Sequence, residues 1–250
     1  MSYYIIITMK NGSPAISVVI PAFNEEKYLP ACLEALKKQT FKNYELIVVD
    51  NNSTDKTAQI AKKFGARVVK EKKQGMIPAR ERGFREARAE IIARTDADTV
   101  VSPDWLKIIY TTFQKYPDVI AITGSWLSPT RKIPHKIFMD LSYLLSVKLG
   151  KLMSGHVFLS GPNMALKKSA WKKIKVITDD KKVHEDYDLS THLAKVGKII
   201  YVKNLKVFFS LRKVTENPAK GFKTYVGEYP VRFIKTLYYN KIGIFKKLNH

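Results

Sequence analysis

The sequence predicts an α/β fold: a mainly parallel central sheet flanked by helices, with a helical extension at the C-terminal end. Three observations carry this. Nearly unbroken apolar runs such as residues 16–20 and 45–49 recur in the first half of the chain, as in strands buried on both faces. Stretches with apolar residues at helical spacing separate them. The connections are short, so each helix returns the chain across the sheet to begin a further strand in the same direction.

The elements follow in order. Ile16-Ser17-Val18-Val19-Ile20 reads as a buried strand stopped by Pro21. Residues 25–39 carry Tyr28, Leu29, Cys32, Leu33 and Leu36 as one helical stripe. Residues 45–49 form a second strand ending at Asp50, and 55–64 a short helix capped by Ser53 or Thr54. A third strand is expected over 66–69, a basic helix over 78–88 and a fourth strand over 91–96. A helix over 105–116 and a fifth strand over 119–123 end the alternation. Residues 136–153 then read as an amphipathic helix bordering a groove, 185–196 as a helix with Leu189 and Leu193 inward, and 198–202 and 205–209 as late strands. From Lys220 to Lys247, lysines and arginines interleave with Phe222, Tyr225, Tyr229, Phe233, Leu237, Tyr238, Ile242 and Phe245.

Composition narrows the setting. The 250 residues include 44 Lys+Arg against 22 Asp+Glu, a net charge of +22. Such a surface attracts phosphate, whether in nucleic acid, lipid headgroups or phosphorylated substrates, and a lysine-rich chain also suits a thermophile. Cys32 is the only cysteine, so an intrachain disulfide and a multi-cysteine metal site are both excluded; it reads as a small buried apolar residue. No stretch reaches the ~20 apolar residues that span a bilayer. Tyr3-Tyr4-Ile5-Ile6-Ile7 lacks the basic flank and cleavage site of a secretory signal. The expectation is a cytoplasmic protein, with a peripheral membrane location open.

Polar residues gather just past the carboxyl ends of three expected strands, the rim where open α/β sheets bind ligands. Pro21-Ala22-Phe23-Asn24-Glu25 follows the first strand and either lines a nucleoside pocket or forms a turn capped by Asn24. Asp50-Asn51-Asn52-Ser53-Thr54-Asp55 follows the second; Asp50 and Asn52 are assigned to binding, since a carboxylate accepts the ring N–H of uracil or guanine, and the rest to helix capping. Gly75-Met76-Ile77-Pro78-Ala79-Arg80 brings Arg80 near a helix start, where a phosphate or base can be met, while Arg82, Arg85 and Arg88 read as a solvated face. Asp96-Ala97-Asp98 follows the fourth strand. Alternation points both carboxylates to one side, where either a hard divalent cation fits between them and holds a diphosphate in its remaining positions, or the two are ordinary turn and cap carboxylates. Upstream of the helix at 185, Ser160-Gly161-Pro162-Asn163 forms a turn able to close over the same site. His184-Glu185-Asp186-Tyr187-Asp188 then leads into that helix as a carboxylate-rich start, which is either a proton acceptor held ionised by the helix dipole or an ordinary acidic first turn.

Taken together, Pro21 to Glu25, Val48 to Asp55, Gly75 to Gly83, Asp96-Ala97-Asp98, Gly161-Pro162-Asn163, Glu185-Asp186 with Leu189, Gly197-Lys198 and Ser210-Leu211-Arg212 resemble the family-2 glycosyltransferases of the GT-A fold. The resemblance covers roughly residues 15–213. It implies a catalytic domain over 1–213, with 214–250 as an extension packed on it or placed at a membrane or dimer surface. It implies transfer of one sugar, with inversion, from a UDP- or GDP-linked donor to a hydroxyl of a glycan or lipid-linked acceptor. In that reading Pro21, Ala22, Phe23, Asn24, Glu25, Asp50, Asn52, Gly75 and Arg80 serve the nucleoside. Asp96, Ala97 and Asp98 face the ribose and diphosphate. Asp98, with Asp96, holds Mn²⁺ or Mg²⁺. Arg212 approaches the diphosphate or a charged acceptor. Gly161, Pro162 and Asn163 meet the acceptor, and Asp186, or less readily Glu185, takes its proton.

Lys73 and Glu81 stand where many members carry asparagine, and the Gln-x-x-Arg-Trp signature of processive synthases is absent, so single-sugar transfer is expected. No late histidine neighbours Ser210-Leu211-Arg212; His184 is the substitute metal ligand to consider. A sugar nucleotidyltransferase is the alternative enzyme, though its usual Gly-rich, Arg- and Lys-bearing loop is unlike Pro21 to Glu25. A binding protein for nucleic acid or another anionic surface is the alternative of another class. The aspartates stand where a nucleic-acid groove would want cations, so no specific nucleic-acid partner is expected. The basic, aromatic tail reads equally as a membrane-interface segment or as helices packed on the domain or on a second copy.

Overall fold

The computed structural model describes residues 12–127, 150–179, 181–208, 210, 212, 216–217, 219, 221 and 223–242. Eight strands form one sheet in the order β3-β2-β1-β4-β7-β6-β8-β5. The strands are β1 (Ile16–Ala22), β2 (Tyr44–Asp50), β3 (Arg67–Lys70), β4 (Ile91–Arg94), β5 (Val100–Val101), β6 (Val119–Leu127), β7 (Met164–Lys167) and β8 (Lys198–Phe208). The pairs β1–β2, β1–β4, β2–β3 and β6–β8 are parallel; β4–β7, β6–β7 and β5–β8 are antiparallel. The expected mainly parallel sheet is therefore present. The short strands β5 and β7 were not among the expected elements.

Helices α1 (Leu29–Lys37), α2 (Thr57–Lys63) and α4 (Trp105–Lys115) cover one face; α3 (Met76–Glu86) and the helix Glu185–Ala194, here α7, cover the other. Between α4 and α7 lie two short helices, α5 (Gly150–Ser154) and α6 (Lys168–Trp171). Burial on both faces explains why β1 shows no polar alternation: Val18 and Ile20 pack under α1 and α4, while Val19 packs under α3. Gly83 of α3 lets that helix approach closely, since a Cβ there would lie 2.2 Å from Val19 Cγ1.

Several expectations change. β1 runs through Pro21 to Ala22, because β4 pairs only as far as Val19 and Pro21 answers to β2 alone. α1 begins at Leu29 rather than Glu25, after a turn. Neither Ser53 nor Thr54 caps α2: the Ser53 hydroxyl accepts the Asn24 N–H, while Asp55 receives the N–H groups of Thr57 and Glu26. The two late strands are one, β8, with a register break against Gly124 and Ser125 of β6. The helix expected over 136–153 lies outside the described residues up to 149; its final residues belong to α5. In the tail, Phe222 and Phe245 also lie outside them. The last helix among the described residues, α8 (Tyr229–Tyr239), packs beside α7. No described helix is long and apolar enough to cross a membrane.

One buried amide ties the antiparallel half to the rest. The turn Gly161–Asn163 precedes β7. Asn163 is wholly buried and accepts the Trp105 indole N–H at 2.8 Å. It donates to the carbonyls of Ser125 and Leu205 at 3.0 and 2.9 Å. Asn163→Ala strands three buried polar groups, each costing about 1–3 kcal/mol, with partial relaxation. A loss of about 3 kcal/mol in urea unfolding is expected; a change under about 1 kcal/mol would remove this tie from the fold's supports.

Candidate functional site

The segments after β1, β2, β3 and β4 meet at the carboxyl rim of the sheet around a cavity of about 280 Å³. Pro21, Ala22, Phe23, Glu25, Gly75, Asp96, Ala97, Asp98 and Arg212 line it, nine of the residues singled out from sequence. Asn51, Gln74, Met76 and Ala79 line it as well and were not expected.

The walls of the cavity are set by cross-loop hydrogen bonds. Asn24 and Asn52 both adopt positive φ (54° and 67°), a conformation asparagine tolerates. Asn24 receives the Thr54 N–H on Oδ1, locking the first loop to the second. Asn52 donates to the Lys72 carbonyl. Asn51 donates to the carbonyls of Glu71 and Lys73 and receives the Gly75 N–H, so it shapes the 71–75 loop. Asp50 is buried one residue back, holding the Ser53 N–H. Asn24, Asp50 and Asn52 therefore brace the pocket instead of lining it.

The aspartate pair converges by a turn, not by strand alternation, since β4 ends at Arg94 and the Thr99 N–H closes onto the Asp96 carbonyl. Asp98 accepts Arg212 Nε at 2.7 Å, and a second nitrogen of Arg212 meets Glu25. The same guanidinium lies over the Tyr28 ring, 4.3 Å from its centroid. Tyr28 and Lys27 in turn meet Glu216. Cys32 lies beneath this cluster; burial, then the charges of Asp98, Asp96 and Glu25, push its thiol pKa well up, so it is an inert core group.

Arg94 was not foreseen, although an arginine closing the buried run Ile91-Ile92-Ala93 was the available signal. Its side chain is almost completely buried. One terminal nitrogen meets Asp186 Oδ1 at 2.6 Å and the other Asp96 Oδ1 at 3.2 Å. The Asp186 charge, then those of Asp96 and Glu185, outweigh burial and hold the guanidinium firmly charged. Asp186 Oδ2 receives the Gly161 N–H at 2.7 Å. A Cβ at Gly161 would lie 2.7 Å from an Arg94 nitrogen, so only glycine leaves room for this arrangement.

The three turn residues expected at the acceptor are buried. Gly161 holds Asp186, the Pro162 carbonyl receives the Thr95 hydroxyl, and Asn163 serves the fold. Arg80 is wholly buried behind the pocket, donating to the Glu185 carbonyl at 2.8 Å and to Glu81. Burial opposes the charge of Glu185, but His184, Arg232 and Arg94 outweigh it and hold its pKa at about 2. Glu185 pairs with Arg232 at 3.0 Å and so is a charge partner facing α8. His184, Glu185 and Asp186 bring their ligand atoms within 4.8 Å of one another. Arg94 and Arg232 already supply the positive charge there, whereas Asp96 and Asp98 open directly on the cavity.

The glycosyl transferase family 2 model matches residues 17–175, more than half of the chain. The chain is 32% identical over 113 residues to the putative glycosyltransferase EpsH of Bacillus subtilis, covering 43% of this chain and 33% of that protein. It is 37% identical over 120 residues to glycosyltransferase GlyG of Streptococcus pneumoniae, covering 46% and 40%. The chain thus spans less than half the length of these relatives. The mannosyltransferase PcManGT of Pyrobaculum calidifontis, solved with GDP-Man and Mn²⁺, superposes with a TM-score of 0.63 at 20% identity, over 92% of this chain and 70% of that one. Glucosyl-3-phosphoglycerate synthase of Mycobacterium tuberculosis, solved with Mn²⁺, UDP and glucosyl-3-phosphoglycerate, gives 0.62 at 21% identity, over 92% and 80%. These structures carry the same fold, and the match over residues 17–175 decides the family: this chain belongs to glycosyl transferase family 2.

Proposed function

We propose that this protein transfers a single sugar, with inversion, from a UDP- or GDP-linked donor to a hydroxyl of a glycan or lipid-linked acceptor at the cytoplasmic side of a membrane. The observation that carries this is the joining of two acidic centres by one buried cation: Asp96 at the cavity and Asp186 beside it share Arg94. In this reading the donor pocket and the proton acceptor adjoin across that cation.

In this reading the nucleoside lies along Pro21 to Glu25, Asn51 and Gly75, over walls braced by Asn24, Asp50 and Asn52. The diphosphate lies toward Asp98 and Arg212. The all-oxygen donors of Asp96 and Asp98 suit Mn²⁺ or Mg²⁺, and the pairing of Asp98 with the Arg212 guanidinium supports its reading as a partner for positive charge. Such an ion neutralises charge on a departing diphosphate. Arg212 adds a second positive charge there. Asp186 receives the proton as the acceptor oxygen bonds to the anomeric carbon from the face opposite the breaking diphosphate bond. Arg94 and Gly161 fix its carboxylate; Arg80 and Glu185 anchor the helix start that carries it.

Thermal unfolding with UDP, GDP, CDP, dTDP and ADP tests the pocket. At a hundredfold excess over Kd, a bound nucleotide adds about 2.7 kcal/mol, or about 5–10 °C for a domain of this size. UDP or GDP with Mn²⁺ is expected to give this shift, and EDTA or Asp98→Ala to remove it. Stabilisation by oligonucleotides alone would replace the transferase reading with charge-driven binding.

Asp186→Asn is expected to keep the nucleotide shift while release of nucleoside diphosphate from the donor falls about 10²–10⁴-fold. Unchanged turnover would take the base role from Asp186. Gly161→Ala displaces Arg94 and with it Asp186. A fall in kcat of about 100-fold at unchanged donor KM is expected; a change in KM alone would place Gly161 in donor binding.

A further inference from the structure

Helix α8 has two faces with different work. Its inner face clamps the start of α7: Thr236 Oγ1 receives the His184 N–H at 2.8 Å, Arg232 meets Glu185 at 3.0 Å, and Asn240 donates to Asp188 at 2.9 Å. Leu237 is buried in the same contact, and Phe233 meets Phe158 and Tyr187. The outer face presents Val231, Ile234 and Tyr238, which are 50%, 54% and 54% exposed, with Tyr239 at 46% beside them. Positions 231, 234 and 238 fall on one helical stripe, and exposed Lys235 and Lys241 flank it. Lys246 and Lys247 follow in the sequence.

We propose that this outer face of α8 docks on an anionic lipid bilayer, with Val231, Ile234 and Tyr238 in the interface and the flanking lysines against the headgroups. An aliphatic centre with tyrosines and lysines at its margins is the pattern of a helix lying in a membrane interface. Charge complementarity selects the occupant. A second copy would bring another +22 against this face, whereas an anionic leaflet attracts it. The area agrees: an 11-residue helix is roughly 16 Å long and 10 Å wide, far short of the roughly 800 Å² per partner of a stable dimer. Nucleic acid would leave Val231 and Ile234 against phosphate. Docking this way sets the α7 start, with Asp186, about one helix diameter of roughly 10 Å from the bilayer. That placement suits a hydroxyl on a lipid-linked acceptor; this last step rests on the transferase reading, while the docking does not.

Flotation with vesicles tests the surface without any donor or acceptor. The full chain is expected to float with phosphatidylcholine–phosphatidylglycerol vesicles and not with phosphatidylcholine alone. Val231→Asn with Ile234→Asn leaves the charge unchanged and should lower partitioning at least tenfold at unaltered Tm. Each of Lys235→Gln and Lys241→Gln should lower it about fivefold. Because Cys32 is buried, Ile234→Cys offers one accessible thiol for an environment-sensitive dye, which should shift to the blue on the same vesicles. Undiminished flotation of the double asparagine variant would mean adsorption through net charge and overturn the assignment. So would a dye unchanged by vesicles, or a dimer in light scattering that the same substitutions dissociate. Loss of flotation with the nucleotide shift intact leaves the transferase reading standing, and the converse leaves the docking surface standing.

Discussion

The ion pair between Arg94 and Asp186 is the interaction on which the site depends. A guanidinium at the end of a central strand is costly to bury, and removing one partner of such a pair leaves an uncompensated charge. Here the charge is answered on two sides, by Asp186 from α7 and by Asp96 from the loop after β4. The geometry therefore has little slack. The 161 position is glycine because a side chain would occupy the guanidinium's space, and its backbone N–H holds the second oxygen of Asp186. One buried cation thus sets the distance between the carboxylate that faces the cavity and the carboxylate proposed as base.

Around this pair the chain places further arginines with different tasks. Arg80 ties α3 to the Glu185 carbonyl, and Arg232 ties α8 to the Glu185 side chain. Arg212 spans Glu25 and Asp98 at the mouth of the cavity and stacks on Tyr28. Arg80, Arg94 and Arg232 fix helix positions, while Arg212 lines the cavity and is the cation proposed to meet a diphosphate. Arginine suits all of these because its planar group makes several directed hydrogen bonds while staying charged. Most of the +22 excess lies elsewhere, on exposed lysines, where it acts as a field on anionic partners.

How much of this was legible in the sequence varies by element. The buried strands and the helices between them were, because a strand covered on both faces must be apolar throughout and a surface helix must show its stripe. β5 and β7 were not: β5 has only two residues, and β7 lies past the strand–helix alternation, where its run Met164-Ala165-Leu166 is seated by the Asn163 turn against β6 and β8. The rim residues Pro21, Ala22, Phe23, Glu25, Gly75, Asp96, Asp98 and Arg212 do meet at one cavity, while Asn24 braces its wall. Asn52 and Arg80 were placed near it by motif, yet their side chains turn to the Lys72 carbonyl and to Glu81 and the Glu185 carbonyl. Asn51, beside Asn52, lines the cavity instead.

By itself the sequence determined the fold class, the family resemblance and the rim on which the polar residues lie, because these follow from local hydrophobic period and from motif order along the chain. Only the tertiary structure decided which carboxylate faces which cation. Arg94 and Asp186 are 92 residues apart, and no local pattern encodes such a pairing. Nor does local pattern reveal that one face of α8 grips the start of α7 while the other is about half exposed, since both faces carry aromatic and basic residues. Burial, a property of the packed whole, distinguishes them.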